Sequence, residues 1–180
     1  MLSADAILNP LEVPRNCVSL ETELGKGHFG IVVKGTLTTM DGNIPVAVKF
    51  LKDDADQYQC RSFRVEASRL AEAKHRNIIQ LKAVCFDSSP ACLIVELAEN
   101  GNLRSYLQHC NENYRGRLRT AQLTKLCLDA SCGFSYLAEQ RLVHRDLACR
   151  NLLLMADFTV KIGDFGLFAR DLVLADAVVD

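Results

Sequence analysis

The sequence predicts an α+β fold in which a β-rich first part is followed by a helical second part. Apolar and polar residues alternate with a period of two through much of the first hundred residues, which is typical of half-buried strands. After residue 101 the apolar residues take the spacing of amphipathic helices. The 180 residues are 49% hydrophobic and 24% charged, a composition typical of a soluble globular protein and not of a disordered chain.

The first part predicts a five-stranded sheet interrupted by one helix. The segments VSLETELG, IVVKGTL and IPVAVKFL predict three antiparallel strands, and one face of the first strand carries Val18, Leu20, Thr22 and Leu24. The helical spacing in SFRVEASRLAEAK predicts the helix, whose stripe is Phe63, Ala67, Leu70 and Ala73. Two further strands, IIQLKAVCF and ACLIVEL, flank a turn at residues 87–90 that ends in proline.

The second part predicts two helices and a strand pair. A short helix carries Leu103, Tyr106 and Leu107, and a polar, basic loop follows it. A long helix then presents the apolar stripe Leu123, Leu126, Cys127, Ala130, Phe134 and Leu137. The segments LLLM and TVKI predict a short strand pair. We expect four regions: an N-terminal flank (1–12), a β-rich lobe (13–95), a linker (96–101) and a helical lobe (102–180).

Composition excludes several classes of partner. A net charge of -1 and a pI near 6.4 give no basic surface for nucleic acid or an anionic membrane. No apolar run approaches the roughly 18 residues of a membrane span, and the start lacks the features of a signal peptide, so we expect the chain as given to be cytoplasmic. The eight cysteines show no CxxC spacing, which favours reduced, mostly buried thiols over a disulfide or metal framework.

The segment GKGHFG is a candidate phosphate-binding loop. Its glycines Gly25, Gly27 and Gly30 would let backbone amides approach phosphate oxygens closely. In a dinucleotide-binding fold this loop opens a helix, whereas the β-branched residues that follow it here predict a second strand. The spacing therefore disfavours a nucleotide-dependent oxidoreductase, and a tight turn without a ligand remains the alternative.

Lys49 ends the apolar strand VAVK and shares a face with Ala47. Such a lysine often reaches solvent at a strand end. Glu66, however, lies within the apolar stripe of the predicted helix, where an unpaired carboxylate would cost several kcal/mol. We therefore predict that Lys49 and Glu66 form an ion pair.

Four motifs in order, GKGHFGIV, VAVK, VHRDLACRN and GDFG, resemble those of the protein kinase family. The similarity extends from about Val13 to Arg170 and implies a two-lobe fold with a complete β-rich N-lobe and the first part of a helical C-lobe. Serine/threonine kinases typically carry a lysine two residues after the catalytic aspartate, where this chain has Ala148, and Arg150 follows. This pattern is similar to that of receptor-type tyrosine kinases, and LIVELAENGNLRSYL resembles the fibroblast-growth-factor-receptor type and related receptors.

The resemblance implies a role for each matching residue, with ATP and Mg²⁺ as the ligands. Lys49, held by Glu66, would contact the ATP phosphates, and Asp146 would accept the proton of the substrate hydroxyl, with Arg150 beside it. Asn151 and Asp164 would bind magnesium. The other implied ATP-binding residues are Leu24, Gly25, Lys26, Gly27, His28, Phe29, Gly30, Val32, Ala47, Val95, Glu96, Leu97, Ala98 and Leu153. An internal hydrophobic spine would comprise Leu70, Leu81, His144 and Phe165, which gives His144 a structural role.

The chain also departs from the family pattern. DFGLFARD has one residue more than the usual form, near Phe168, and neither an activation-loop tyrosine nor an APE motif follows. We therefore expect a tyrosine kinase fragment, whose isolated chain does not phosphorylate peptides because the peptide-binding surface is missing. The alternative is a truncated product that binds ATP or a kinase partner without catalysis. The resemblance further implies tyrosine-containing protein substrates and a parent receptor that dimerises at the plasma membrane with this domain inside the cell.

Overall fold

The computed structural model describes residues 4–26, 30–112, 118–164 and 169–170. The chain divides into two compact units. The first comprises Met1–Lys74 and Ile79–Ala98, and the second comprises His75–Ile78 and Glu99–Asp180. The boundary after Ala98 falls within residues 96–101, the predicted linker.

The first unit contains the predicted five-stranded antiparallel sheet and its helix. The strands run in the order β1-β2-β3-β5-β4. Their bounds are β1 (Val18–Lys26), β2 (Ile31–Thr39), β3 (Gly42–Phe50), β4 (Leu81–Cys85) and β5 (Cys92–Glu96). A short helix α1 (Ala4–Leu8) precedes the sheet, and α2 (Gln57–Glu72) connects β3 to β4.

One face of the sheet carries a cluster of buried apolar residues. Half of its residues are β-branched, a type that packs well on a pleated surface. The residues buried there are Val18, Val33, Leu37, Val46, Val48, Phe50, Ala83, Cys85, Cys92 and Ile94. β1 contributes only Val18 to this core, while Leu20 and Leu24 are 43% and 51% exposed. The predicted half-buried face of β1 is therefore wrong beyond Val18, because β1 is an edge strand whose pairing with β2 is irregular between Leu20 and Gly25.

Helix α2 begins at a capping box. The side chain of Asp56 accepts a hydrogen bond from the amide of Gln59, and the side chain of Gln59 accepts one from the amide of Asp56. Such reciprocal bonds satisfy amides that have no partner inside the helix. The helix buries Phe63, Glu66, Ala67, Ser68 and Leu70, so the predicted stripe is confirmed with one carboxylate inside it.

The described residues of the second unit include two longer helices and two small strand pairs. The helices are α3 (Leu103–Glu112) and α4 (Thr120–Glu139). The strands β7 (Leu152–Leu154) and β8 (Val160–Ile162) form the predicted antiparallel pair. A second antiparallel pair joins β6 (Leu142–Val143) to β9 (Ala169–Arg170). A 3-10 turn, Cys149–Asn151, leads into β7.

Helix α4 buries a narrower stripe than its sequence predicts. Leu126 and Leu137 are buried, whereas Leu123 is 42% exposed and Cys127 is exposed. Gly133 is buried on the same helix, and a Cβ atom there would lie 2.8 Å from both the Asn77 carbonyl oxygen and the Ile162 side chain. A glycine at this position therefore allows α4 to approach β8 closely.

All eight cysteines are free in the structure. The prediction that most are buried is wrong, because only Cys85 and Cys92 are buried and four others are exposed. Burial, followed by the neighbouring Cys85, raises the pKa of Cys92 to about 12. Among the helices of the described residues, none is long and apolar enough to cross a membrane.

Candidate functional site

Lys49 and Glu66 form the predicted ion pair inside the first unit. The Lys49 Nζ lies 2.8 Å from Glu66 Oε1 and 3.2 Å from Oε2. Their side chains are 12% and 2% exposed. Strand β3 supplies the lysine at a period-two position, and α2 supplies the glutamate three residues after the buried Phe63. The ammonium is thus held by both carboxylate oxygens at a fixed position on the sheet.

Four of the predicted nucleotide-binding residues share one face of the sheet. Val32 is the direct cross-strand partner of Lys49, and Ala47 is that of Val95. Directly opposed residues of antiparallel strands lie on the same face, as do residues two apart on one strand. Val32, Ala47 and Val95 therefore form an apolar surface beside the Lys49 ammonium, on the face opposite the Val46 and Val48 core.

The glycine-rich loop connects β1 to β2, which confirms the second strand predicted after it. Gly25 and Lys26 end β1, and a Cβ at Gly25 would meet no atom within 4 Å. Gly30 is buried, and a Cβ there would collide with the Phe50 carbonyl oxygen. Gly30 is therefore required by its close approach to β3, whatever its role towards a ligand. Gly27, His28 and Phe29 lie outside the described residues.

The remaining predicted nucleotide-binding residues lie in different surroundings. Leu24 on β1 is half exposed. The Glu96 carboxylate accepts a hydrogen bond of 2.8 Å from the Gln80 amide, so its side chain is engaged with its own sheet. Leu97 and Ala98, like Glu96, are partly buried at the end of the first unit. Leu153 is partly buried between Leu152 and Leu154 in the second unit.

Asp146, Arg150 and Asn151 come together in the second unit. The Arg150 guanidinium donates to Asp146 Oδ1 at 2.6 Å. The side-chain NH₂ group of Asn151 donates to Asp146 Oδ2 at 2.8 Å and to the main-chain oxygen of Asp146 at 2.9 Å. These contacts, chiefly the bond from Asn151 and then Arg150, lower the pKa of Asp146 below its ordinary value. Asp146 is therefore a carboxylate at neutral pH, oriented through both of its oxygens.

His144 is a buried structural residue in this geometry. Its Nδ1 accepts a hydrogen bond of 3.3 Å from the Asp146 amide, so the proton is on Nε2. Nε2 then donates to the Gly163 carbonyl oxygen at 3.0 Å. The ring also packs edge-on against Phe134 of α4. His144 thus ties the segment containing Asp146 to the segment that leads into Asp164. Of the other predicted spine residues, Leu70 and Leu81 are buried in the first unit, and Phe165 lies outside the described residues.

Asn151 and Asp164 are connected through Gly163. The Gly163 amide donates to the main-chain oxygen of Asn151 at 2.8 Å. Asp164 follows in a left-handed conformation with φ of 56°. Asn151 is oriented by donating its side-chain NH₂ to Asp146, so its side-chain oxygen is the atom that could meet a cation. Mg²⁺ prefers oxygen ligands and is typically held by one or two carboxylates together with substrate phosphates. The amide oxygen of Asn151 and the carboxylate of Asp164 fit this preference. Within the described part of the chain, no three His, Cys, Asp or Glu side chains form a metal cluster.

The sequence interpretation missed Asn77, which helps to hold this arrangement. Asn77 is 4% exposed. Its side-chain NH₂ group donates to the Val160 main-chain oxygen at 2.8 Å, and its main-chain oxygen accepts from the Ile162 amide at 2.8 Å. Asn77 thus fixes β8, the strand that leads into Gly163 and Asp164. The available signal was an amide residue directly before the apolar pair at 78–79, where a buried polar side chain needs partners.

Comparison with known protein families decides the classification. The family described as protein tyrosine and serine/threonine kinase matches residues 18–177. The chain belongs to this kinase family. Its α+β architecture, with a five-stranded sheet followed by a helical unit, agrees with the kinase fold that the motifs implied.

Individual relatives are similar over nearly the whole chain. The insulin receptor-related protein of Homo sapiens is 36% identical over 173 residues, which cover 92% of this chain and 13% of that protein. The proto-oncogene tyrosine-protein kinase ROS of Rattus norvegicus is 41% identical over 174 residues, covering 91% and 7%. The tyrosine-protein kinase Fer of Rattus norvegicus is 38% identical over 175 residues, covering 94% and 20%. The chain therefore spans a fifth or less of these relatives.

Proposed function

We propose that this kinase chain supplies the nucleotide-binding and catalytic residues of an ATP-dependent protein tyrosine kinase, which transfers the γ-phosphate of ATP to a tyrosine hydroxyl. The observation that carries the proposal is the Asp146 carboxylate, held on one oxygen by Arg150 and on the other by Asn151. Phosphoryl transfer needs positioning and charge neutralisation more than covalent help from the protein. An ionised carboxylate with a fixed orientation can position the substrate hydroxyl.

Asp146 is the proposed acceptor of the tyrosine hydroxyl proton. Its lowered pKa keeps it ionised, so it can orient the hydroxyl by accepting its hydrogen bond and take the proton as transfer proceeds. Arg150 and Asn151 hold both carboxylate oxygens and restrict rotation of the side chain. They contribute to catalysis by holding the Asp146 carboxylate in a fixed orientation towards the hydroxyl, which lowers the entropic part of the barrier.

Lys49 is the proposed ligand of the ATP α- and β-phosphates. Glu66 holds its ammonium at a fixed point, and the adjoining surface of Val32, Ala47 and Val95 suits an apolar adenine ring. We extend the proposal to the other nucleotide-binding positions that the kinase motifs imply: the loop residues 24–30, the backbone of 96–98 and Leu153. Asn151 and Asp164 are the proposed magnesium ligands. Bound magnesium supplies charge neutralisation at the phosphates.

Tyrosine specificity is proposed from the catalytic segment. Ala148 stands two residues after Asp146, where serine/threonine kinases typically carry a lysine, and Arg150 occupies the position next to Asn151. Two relatives, ROS and Fer, are named as tyrosine-protein kinases. Together these observations favour tyrosine-containing proteins as substrates. Closeness to the fibroblast-growth-factor-receptor type stays a prediction.

A parent receptor is also part of the proposal. The insulin receptor-related protein is similar over 92% of the chain, and the matched segment makes up only 13% of that relative. We infer that the segment acts on the cytoplasmic side of the plasma membrane as part of such a receptor and is brought to its substrates by receptor dimerisation.

Transfer of ³²P from γ-labelled ATP to a glutamate–tyrosine copolymer tests the proposed reaction. The assay compares the chain, and longer forms of the protein that contain it, with matched Asp146→Asn variants. The proposal expects magnesium-dependent label on tyrosine from the longer forms, reduced by about a thousandfold or more in their variants, and no label from the isolated chain. Equal label in the variant would contradict the role of Asp146. Magnesium-ATP binding without transfer in every form would favour the alternative, a non-catalytic protein that binds ATP or a kinase partner.

A further inference from the structure

The segment before β1 is built into the first unit. Glu12 pairs with Val84 of β4 as an isolated parallel bridge, and the Val13 amide donates to the Val84 carbonyl oxygen at 2.9 Å. Upstream, α1 packs against α2 and its last residue, Leu8, is 2% exposed. The region predicted as an N-terminal flank therefore covers the edge strand β4, whose unpaired backbone groups would otherwise face solvent.

Glu12 holds the start of the loop between β4 and β5. One carboxylate oxygen, Oε1, accepts a hydrogen bond of 2.6 Å from the Phe86 amide and one of 3.3 Å from the Asp87 amide. Glu12 thus fixes the backbone of Phe86 from a distance of 74 residues in the sequence.

Phe86 in turn contacts helix α2. Its ring packs edge-on against Phe63 at a centroid distance of 6.4 Å, and the Arg64 guanidinium carbon lies 4.3 Å from the centre of the same ring. Aromatic and cation–π contacts of this kind each stabilise a packed pair beyond its burial alone. Glu66 is on the same helix, three residues after Phe63, and both are buried. The contacts therefore run from Glu12 through Phe86 to the helix that carries Glu66.

We propose that Glu12 is a positioning residue for the Lys49–Glu66 ion pair, acting through Phe86 on helix α2. Without the carboxylate, the Phe86 and Asp87 amides lose their shared acceptor, the ring is no longer held between Phe63 and Arg64, and α2 opens more readily. The consequence for ATP rests on the function proposed above. The consequence for α2 does not depend on it.

Hydrogen–deuterium exchange of the unliganded 180-residue chain is the first readout, and the affinity for magnesium-ATP by calorimetry is the second. The variants are Glu12→Ala, Glu12→Gln and Phe86→Leu, and Glu21→Ala is the matched control. Glu21 is also a carboxylate held by two neighbours, Lys34 and Thr36, but on β1. Glu12→Gln keeps an oxygen that can accept from both amides. Phe86→Leu removes the ring while leaving Glu12 intact.

The proposal expects Glu12→Ala to speed exchange in α2 by about tenfold, with β1 to β3 unchanged. Phe86→Leu gives the same pattern. In the double variant that combines Glu12→Ala with Phe86→Leu, α2 exchanges no faster than in either single variant, because both changes break the same route of contact. Glu12→Gln restores most of the protection, and Glu21→Ala has no effect on α2. Affinity for magnesium-ATP falls by about tenfold in Glu12→Ala and not in Glu21→Ala.

Two results would overturn the proposal. One is faster exchange confined to residues 84–92 with α2 unchanged, and the other is a uniform increase over the whole first unit. Should Glu12→Ala fail to fold, Phe86→Leu and Glu12→Gln decide by the same criteria. If the unmodified chain binds no magnesium-ATP, the proposed nucleotide function fails, while the exchange comparison still decides the role of Glu12.

Discussion

The two candidate groups are built around ion pairs of similar length in different surroundings. Lys49 and Glu66 are 2.8 Å apart, with side chains 12% and 2% exposed. Arg150 and Asp146 are 2.6 Å apart, with side chains 52% and 27% exposed. A buried pair depends on both members, because the survivor of a substitution keeps its desolvation cost. An exposed pair is screened by water and adds little to stability. The first pair therefore supports the fold, and the second chiefly orients the Asp146 carboxylate.

The largest expected effect on stability comes from breaking the buried pair. Glu66→Ala should lower the free energy of unfolding by about 3 to 5 kcal/mol, because it leaves the Lys49 ammonium without its carboxylate in a mostly buried position. Urea unfolding measures this change. Glu21→Ala, which breaks the exposed Lys34–Glu21 pair, should leave the unfolding midpoint almost unchanged. Equal losses in the two variants would remove the distinction between buried and exposed pairs.

A smaller loss is expected from Asn77→Ala in the second unit. The variant leaves the buried Val160 carbonyl oxygen without the Asn77 donor, at a cost of about 1 to 3 kcal/mol. Arg76→Ala is the neighbouring control, since its guanidinium is largely exposed and lies 3.9 Å from Asp157. Urea unfolding of both variants would contradict the account if Arg76→Ala were the more damaging.

The cluster of Asp146, Arg150 and Asn151 should respond in the pKa of its carboxylate. Because the hydrogen bond from Asn151 is the largest cause of the lowered pKa of Asp146, Asn151→Ala should raise that pKa further than Arg150→Ala does. Carboxyl ¹³C resonances followed through a pH titration report each value directly. The reverse order, or no change in either variant, would show that other groups set the charge of Asp146.

The smallest expected effect is on stability in acid. Hydrogen bonds from the Thr159 amide and hydroxyl lower the pKa of Asp157 below its ordinary value of 3.8. A carboxyl with a lowered folded-state pKa contributes stability that is present above its unfolded pKa and lost as the pH falls through the folded one. The thermal midpoint should therefore decrease as the pH is lowered below about 4. The decrease should be less steep in Asp157→Asn. A slope that is unchanged in the variant would assign the acid sensitivity to other groups.

Local patterns were sufficient to predict the sheet, α2 and the Lys49–Glu66 pair. Both members of that pair occupy positions where period-two or helical spacing places a charge inside an apolar surface, and burial of charge requires a partner. Asp146, Arg150 and Asn151 lie within six consecutive residues, so their motif also brings them together in space. The roles of the predicted nucleotide and magnesium ligands stay predictions.

The contacts that were missed join residues distant in the sequence. Asn77 meets Val160 across 83 residues, and Glu12 meets Phe86 across 74. No periodicity within an element specifies such a pairing. The exposure of Leu24 and Leu123 was also missed, because alternation and helical spacing show which residues share a face but not whether another element covers that face.

The most direct test of the central claim is a thermal melt of residues 1–180 with and without millimolar magnesium-ATP. A ligand that binds only the folded state raises the midpoint by mass action. The account predicts a cooperative melt that ATP shifts upwards, a shift that is lost in Lys49→Met and kept in Lys82→Met, whose native ammonium donates to Gln80 just before β4. An equal shift in both variants, or no shift in the unmodified chain, would contradict the claim that Lys49, held by Glu66, forms part of a nucleotide site.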